Sequence, residues 1–548
     1  MKKGLFLSLL ILLFSYYTKA QPVGLIQNSP QSYNGYTAFS GYNGDTVYLI
    51  DNCGKLVHKW ACSERSLRNP VYVLPNGDVL YGGKVSTHFG SGAGLLERVD
   101  WNGNIQWSYT IADSIEAAHH GFVPMPNGNV LAVVWEKKSV AEQILAGRDP
   151  ATITGELWSE KIVEITAGSS PKIAWEWRLW DHLIQEFDPT KNNYGSVKDH
   201  PELVDVNLLP GLAGSWAHVN SIDYNPALDQ IVICSRNFCE LFIIDHSTTS
   251  SEAASHTGGV QNKGGDFLYR WGNPMNYKRG VAADQHLFRP HDGHWTSPGA
   301  PNDSGKLIVF NNGDSRPGMK YSTVEIIAPP LKADQSYHLG LGNVYLPSKA
   351  AWIYPKTPDS TFFSVTQGSA QLLPNGNVLI AESNTGEFKE VDSVGTLVWY
   401  YVCPINPSGI IPQGDPLGDN SVFMIRRYPV NYSAFAGRTL SPGAPIEIKP
   451  TPYNCSLFVS VGETEPTPFS FVTFPNPTSD KIHVQYKSGQ PESLTLRMID
   501  LSGRIVFQQT LPSMGGEVSI PVTKMTHGIY VLEAVGKTQK IQRKVLVQ

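Results

Sequence analysis

The chain has no large excess of either charge and few charges of any kind. Its 548 residues contain 43 Lys and Arg against 48 Asp and Glu, a formal net charge of −5, and charged residues make up 17%. That balance excludes the basic footprint of a nucleic-acid binder and a polybasic patch for anionic membranes. Cysteine is scarce, at six residues. No cysteine spacing resembles a zinc knuckle, and a chain of this length does not need staples to fold. Beyond the N-terminus no apolar run approaches the roughly 20 residues needed to span a bilayer as a helix. Glycine (50), proline (39) and aromatic residues (11%) are plentiful. This mixture predicts an all-β protein of short strands and turns, and the length predicts one large domain with a smaller one.

Residues 1–20 read as a secretory signal peptide. Met1-Lys2-Lys3 is basic, an apolar run follows from Gly4 to Tyr17, and Ala20 precedes Gln21-Pro22. Export permits disulfides. Cys53 with Cys62, and Cys234 with Cys239, could each close a short loop, while Cys403 and Cys455 have no near partner in sequence. Spacing alone leaves the connectivity open.

Two patterns recur. In one, a strand leads to Asp or Glu in a turn, then Gly, then an apolar stretch ending in Trp. It runs from Leu49 to Trp60 and from Arg98 to Trp107, with weaker copies at 162–175, 242–271 and 390–399. The other is Leu-Pro-Asn-Gly-x-Val-Leu, at 74–80 and 373–379 with a variant at 125–131. Asn-Gly between strand formers signals a hairpin. Hairpins repeated along the chain predict a six-bladed β-propeller over residues 25–455, with an irregular sandwich or solenoid as the alternative. Residues 181–210 and 248–264 interrupt the alternation and read as insertions over one face. Composition shifts near Pro450. A polar linker over 456–469 then precedes a small β-sandwich at 470–548.

Histidines and one arginine carry the chemistry. Ala118-His119-His120-Gly121, Trp216-Ala217-His218-Val219-Asn220, Ser235-Arg236-Asn237 and Pro290-His291-Asp292-Gly293-His294 are dispersed, as in a fold that gathers strand ends at one point. A neutral imidazole can act as nucleophile toward a sulfuryl or phosphoryl group. A guanidinium offers a planar fork of donors to its oxygens, and further imidazoles can protonate the leaving oxygen. Metal ligation competes, because His291 and His294 with Asp292, or His119-His120, could hold zinc or iron. Arg236 would repel such a cation. Alternation along a strand also lets only one of His119 and His120 face the centre.

Residues 37–429 resemble the arylsulfotransferase family, the PAPS-independent aryl-sulfate sulfotransferases of bacteria. The likeness rests on His119-His120-Gly121 with Pro126-Asn127-Gly128-Asn129, on His218-Val219-Asn220-Ser221, and on Ser235-Arg236-Asn237. It continues through His291-Asp292-Gly293-His294, Asn312-Gly313-Asp314-Ser315-Arg316-Pro317 and Phe423-Met424-Ile425-Arg426-Arg427. The resemblance implies sulfuryl transfer from a phenolic sulfate to an acceptor phenol, with no cofactor and no metal. His291 would be the nucleophile, His120 and His218 would assist, and Arg236 would clamp the sulfate. His286 is the alternate nucleophile, and His119 and His294 are further alternates. A non-catalytic adhesive propeller and a metal-dependent hydrolase are the competing functions. Gly121 departs from the family, which has an acidic residue there, and the family's N-terminal β-sandwich is absent or truncated. Phe474-Pro475-Asn476-Pro477, Ile499-Asp500-Leu501-Ser502-Gly503-Arg504 and His527-Gly528-Ile529-Tyr530 resemble the C-terminal sorting domain of the type IX (Por) secretion system of Bacteroidota. That tail implies the secretion machinery as partner, and release or display at the outer-membrane surface.

Overall fold

The computed structural model describes residues 22–64, 69–85, 94–296, 305–451 and 455 in a first unit, which runs to Phe458. In the second, which starts at Val459, it describes 469–474, 478–488, 494–500, 504–511, 516–535 and 540–547. The expected signal peptide, and the expected linker up to residue 468, lie outside the described residues. The described residues are all-β apart from the short helices Val140–Leu145 and Ser250–Ala253 and a few 3-10 turns.

In the first unit, most of the described strands form six sheets of four or five strands, taken up one after another along the chain and antiparallel except where Gly214–Ser215 adds to Leu157–Ile165. Leu183–Ile184 with Val204–Asp205, and Ile405–Asn406 with Gly409–Ile410, make two further two-stranded sheets. The first strands of the second to sixth sheets are Val71–Val73, Glu116–Pro124, Val219–Asn225, His291–Trp295 and Ser369–Leu372. The chain ends complete two sheets. Ile425–Pro429 pairs with Gly35–Ser40 in the first sheet, and Gly24–Asn28 pairs with Leu397–Val402 in the sixth.

Both sequence repeats are turns. In Leu-Pro-Asn-Gly, the Gly376 amide donates to Leu373 O, the Leu373 amide to Asn377 O, and Asn375 Oδ1 accepts from the Asn377 amide. Residues 74–78 and 125–129 repeat this pattern and join the first two strands of their sheets. The Asp-containing repeat joins the last two strands. Asp100 Oδ1 accepts from the amides of Asn102 and Asn104, and Gly103 (φ 86°) takes the left-handed conformation that a side chain would resist. Asp51 and Asp392 cap their turns in the same way.

The repeated Trp staples each sheet to the next. Indole N–H groups of Trp107, Trp175, Trp271, Trp352 and Trp399 donate to Thr166 O, Thr248 Oγ1, Pro347 O, Ser393 O and Asn52 O. Each acceptor lies between the last two strands of the following sheet, and Trp399 returns from the sixth sheet to the first. Between the first and second sheets His58 takes over, donating to Trp101 O at 3.0 Å. Apolar side chains fill the space between successive sheets. Leu80 and Leu96 meet Ala132 and Val163, and Phe310 meets Ala370 and Ile380. Strands covered on both sides, such as Gln230–Ser235, are buried at every position, which is why period-2 alternation is weak there.

Cysteine pairing differs from both expectations. Cys53, in the turn of the first sheet, bonds Cys455, 402 positions later, and Cys62, Cys234, Cys239 and Cys403 are free. Cys53 and Cys62 lie beyond opposite ends of Leu56–Ala61, a strand of about 20 Å, and a disulfide spans under about 7 Å between Cα atoms. Cys234 pairs in register with Leu241, while Cys239 Sγ accepts from the Arg289 amide at 3.3 Å.

The second unit has a three-stranded sheet (Phe469–Phe474, Lys481–Ser488, Gly516–Pro521) and a four-stranded one (Leu494–Asp500, Ile505–Leu511, Gly528–Val535, Lys540–Val547). Ile482, Val484 and Ile520 of one join Leu496, Met498, Leu532 and Val545 of the other in a single apolar core. Residues 475–477 and 501–503 of its quoted motifs lie outside the described residues.

Candidate active site

Three neighbouring first strands break register where the histidines stand. In the third sheet, Val133 faces the stretch His119-His120-Gly121. In the fourth, an extra residue sits between Val219 and Ser221, and in the fifth Asp292-Gly293 oppose Val309. Bulges re-aim side chains, and the backbone shows the strain, with His120 (φ 47°), His218 (φ 53°) and Asp292 (φ 53°) all left-handed. The expected alternation of His119 and His120 therefore does not hold. Their Nδ1 atoms lie 2.9 Å apart, and both rings are buried.

His120, His218, Arg236 and His291 come together. The rings of His120 and His218 are 4.9 Å apart. The Arg236 guanidinium and the His120 ring both act electrostatically on His291, and His291 in turn acts on His218. Strand pairing fixes Arg236 beside His218, since its amide donates to His218 O at 3.0 Å. The guanidinium is held by Asn237 Oδ1 at 3.2 Å and lies 4.0 Å from Asp314.

The alternates go elsewhere. His286 stacks on Trp271 at 4.9 Å and feels Glu325 and Asp284 rather than the cluster. His294 donates to Asp292 O beside the buried Arg426–Asp292 ion pair. His119 supports His120 from behind, sandwiched between Trp135, at 3.8 Å, and Glu160.

His291 has a defined tautomer. Asn312 Nδ2 donates to Ser364 O at 2.7 Å and Gln367 O at 2.6 Å, so its Oδ1 must face His291 Nδ1, 2.7 Å away. An amide oxygen only accepts, so Nδ1 carries the proton and Nε2 the lone pair. Nε2 accepts one long bond from the Gln367 amide at 3.2 Å. Burial pushes the pKa of His291 down to about 3 and that of His218 well below its usual range. Both rings are thus neutral at neutral pH, and Arg236 supplies the positive charge.

Glu160 was not singled out from sequence, nor was Asn312 given a role. Glu160 lies mid-strand in Leu157–Ile165 and is 1% exposed, and burial pushes its carboxyl up to about 8. His119 is held well below its usual pKa, so their 2.9 Å contact is a neutral hydrogen bond. A protonated Glu160 donates to His119 Nε2, and His119 Nδ1–H then donates to His120 Nδ1. His120 is left with its proton on Nε2. An ionised Glu160 reverses each bond and leaves His120 Nε2 bare. In sequence Glu160 is one of three charged residues in this strand, with Lys161 and Glu164, and nothing local sets it apart.

Gly121 has a packing reason. A Cβ there would stand 3.0 Å from Ser221 Cα in the neighbouring sheet, so a side chain could be added only by pushing that backbone away.

Neutral imidazoles with one bare nitrogen, beside a fixed guanidinium, form equipment for transferring a tetrahedral oxyanion group. The family model "Arylsulfotransferase (ASST)" matches residues 25–398, and the chain belongs to that family. Membership supports an aryl sulfotransferase, with an aryl sulfate as donor and a phenol as acceptor. Residues 472–548 match the "Secretion system C-terminal sorting domain", which directs the protein through the type IX machinery to the cell surface or outside. Among the described residues no helix is long and apolar enough to cross a membrane. No curated protein matches. Among solved structures, a protein of unknown function from Bacteroides caccae is 11% identical over 72% of this chain and 99% of its own (TM-score 0.39). Streptogramin B lyase is 10% identical over 75% and 95% (0.34), and virginiamycin B lyase from Staphylococcus aureus 12% over 70% and 89% (0.29).

Proposed function

We propose that this protein moves a sulfuryl group from a phenolic sulfate ester to an acceptor phenol through a sulfohistidine at His291. The scaffold is a six-bladed β-propeller over residues 25–455, followed by a β-sandwich sorting domain at 470–548. Six successive sheets with staples returning from the sixth to the first support that reading. The observation that carries the chemistry is the Asn312-locked tautomer, which leaves the lone pair on His291 Nε2.

In the first half-reaction Nε2 gives up the Gln367 amide and attacks sulfur. The S–O(aryl) bond breaks, and the phenolate leaves with the electron pair, taking a proton from His120 Nε2. In the second, His120 removes the acceptor's phenolic proton, the phenolate oxygen attacks sulfur, and the S–N electrons return to Nε2. Arg236 and His218 hold the equatorial oxygens. The chain from Glu160 through His119 resets His120 between its two states. Metal-dependent hydrolysis is disfavoured because the Arg236 guanidinium acts on His291 and would repel a cation there.

Incubation with 4-nitrophenyl sulfate should release nitrophenol faster when phenol is present. Without acceptor, intact mass should rise by about 80 Da, the mass of one sulfuryl group. His291→Ala should lose both signals and His286→Ala should keep them. Turnover in folded His291→Ala would sink the proposal.

A further inference from the structure

The two insertions bring together a second set of ligand-type side chains. His182 follows the turn Leu179–Asp181, His256 follows the helix Ser250–Ala253, and Asp266 precedes the strand Tyr269–Trp271. Their ligand atoms all lie within 4.8 Å of one another. The His182 side chain is fully buried and stacks on Trp177, whose indole donates to Gly265 O at 2.7 Å.

His182 Nε2 lies 2.9 Å from Ala253 O. A carbonyl has no proton to give, so Nε2 carries the hydrogen, and in a neutral ring Nδ1 then presents a lone pair. That lone pair faces Asp266 Oδ1 at 2.8 Å. A lone pair and a carboxylate oxygen repel at this distance, so the contact calls for positive charge between them, supplied either by a second ring proton or by a metal ion. His256 Nδ1 reaches the same oxygen, also at 2.8 Å. An imidazole whose far N–H is fixed by a backbone carbonyl has the outer support usual for a ligating histidine.

We propose that His182, His256 and Asp266 form a binding site for a zinc-class divalent transition metal ion. Two imidazole nitrogens and one carboxylate oxygen are the donor set such an ion selects over magnesium or calcium. To surround an ion at about 2.1 Å, tetrahedral ligand atoms spread to roughly 3.4 Å apart. The exposed His256, with 59% of its side chain in solvent, can swing outward freely, and the 2.8 Å His182–Asp266 pair must open by roughly 0.6 Å, within reach of a rotation of the Asp266 carboxylate. Three protein ligands leave one position for water. His256 also lines a cavity of about 750 Å³ with Trp180, Tyr194 and His200, through which an ion can enter from solvent. The ion pins the loop bearing His256 to His182, near the start of the other insertion.

The test uses the full chain, stripped with a chelator and given Zn²⁺ or Co²⁺. About one equivalent should survive gel filtration, and Tm should rise. The Co²⁺ form should show d–d absorption without a thiolate charge-transfer band. His256→Ala, at an exposed position that leaves the fold intact, should bind at least about tenfold more weakly. Failure to retain the ion, equal retention by His256→Ala, or a thiolate band from the free cysteines would overturn the proposal. The trio would then be an ion-paired cluster only.

Discussion

Replacing Asn312 by Ala removes three bonds at once, and their separate consequences can be worked out. Ser364 O and Gln367 O each lose a donor, and His291 Nδ1–H loses its acceptor. A buried polar group left without a partner costs about 1–3 kcal/mol. Ser364 O keeps a 3.5 Å contact with the Ser322 hydroxyl, which softens one of the three losses. The sum is a destabilisation of roughly 3–5 kcal/mol, large for one substitution. Turnover should suffer separately, since nothing then holds the proton on Nδ1. Loss of such a support typically costs about 10- to 100-fold. Denaturant unfolding measures the first effect. The rate of nitrophenol release with phenol present, divided by the folded fraction, measures the second. Imidazole ¹⁵N resonances should place the His291 proton on Nδ1 in the native protein. An unchanged rate per folded molecule, or a native proton on Nε2, would refute the argument.

Arg236→Lys keeps the charge but loses the planar fork, and kcat should fall by about 10²–10³, as for loss of a transition-state donor; unchanged steady-state kinetics would remove Arg236 from the site. Gly121→Asp forces the backbone at Ser221 to move and should lower stability by about 1–3 kcal/mol, read as a fall in Tm. The pKa of His291, about 3, keeps the nucleophile neutral in mild acid, so kcat/KM should show no acid limb near its ordinary pKa of about 6.5. Glu160 has a folded pKa of about 8, above its ordinary value, so the folded state binds the extra proton. Its contribution to stability is full below about pH 4.3 and is lost as pH rises through the folded pKa. The stability advantage of the native protein over Glu160→Gln should therefore shrink from mildly acidic to mildly alkaline pH, and a growing advantage would contradict the assignment.

The legible part of this chain is the part whose signal is local. Asn-Gly turns, Asp caps and strand-ending tryptophans each act within about five residues of their own position or at a fixed place in the next sheet, so they recur in sequence as they recur in space. The two insertions were legible by their lack of pattern. Cys53–Cys455 was not, because its 402-residue separation leaves no trace in spacing. Glu160 was hidden for a different reason. Strands covered on both faces do not alternate, so a buried carboxylate there looks like any other polar residue in a strand.

The histidines stand out in sequence because their surroundings are distinctive, yet their orientation was out of reach. Alternation put His119 and His120 on opposite faces, which would have made one of them irrelevant. The bulge opposite Val133 makes them a connected pair instead. At this bulge Ser221 comes so close to Gly121 that any side chain there would have to push it back. The family's acidic residue at this place and the residue that ends the bulge therefore compete for one position. In this chain close packing holds that position, and the acidic partner of the histidine pair comes from Glu160 on a different strand.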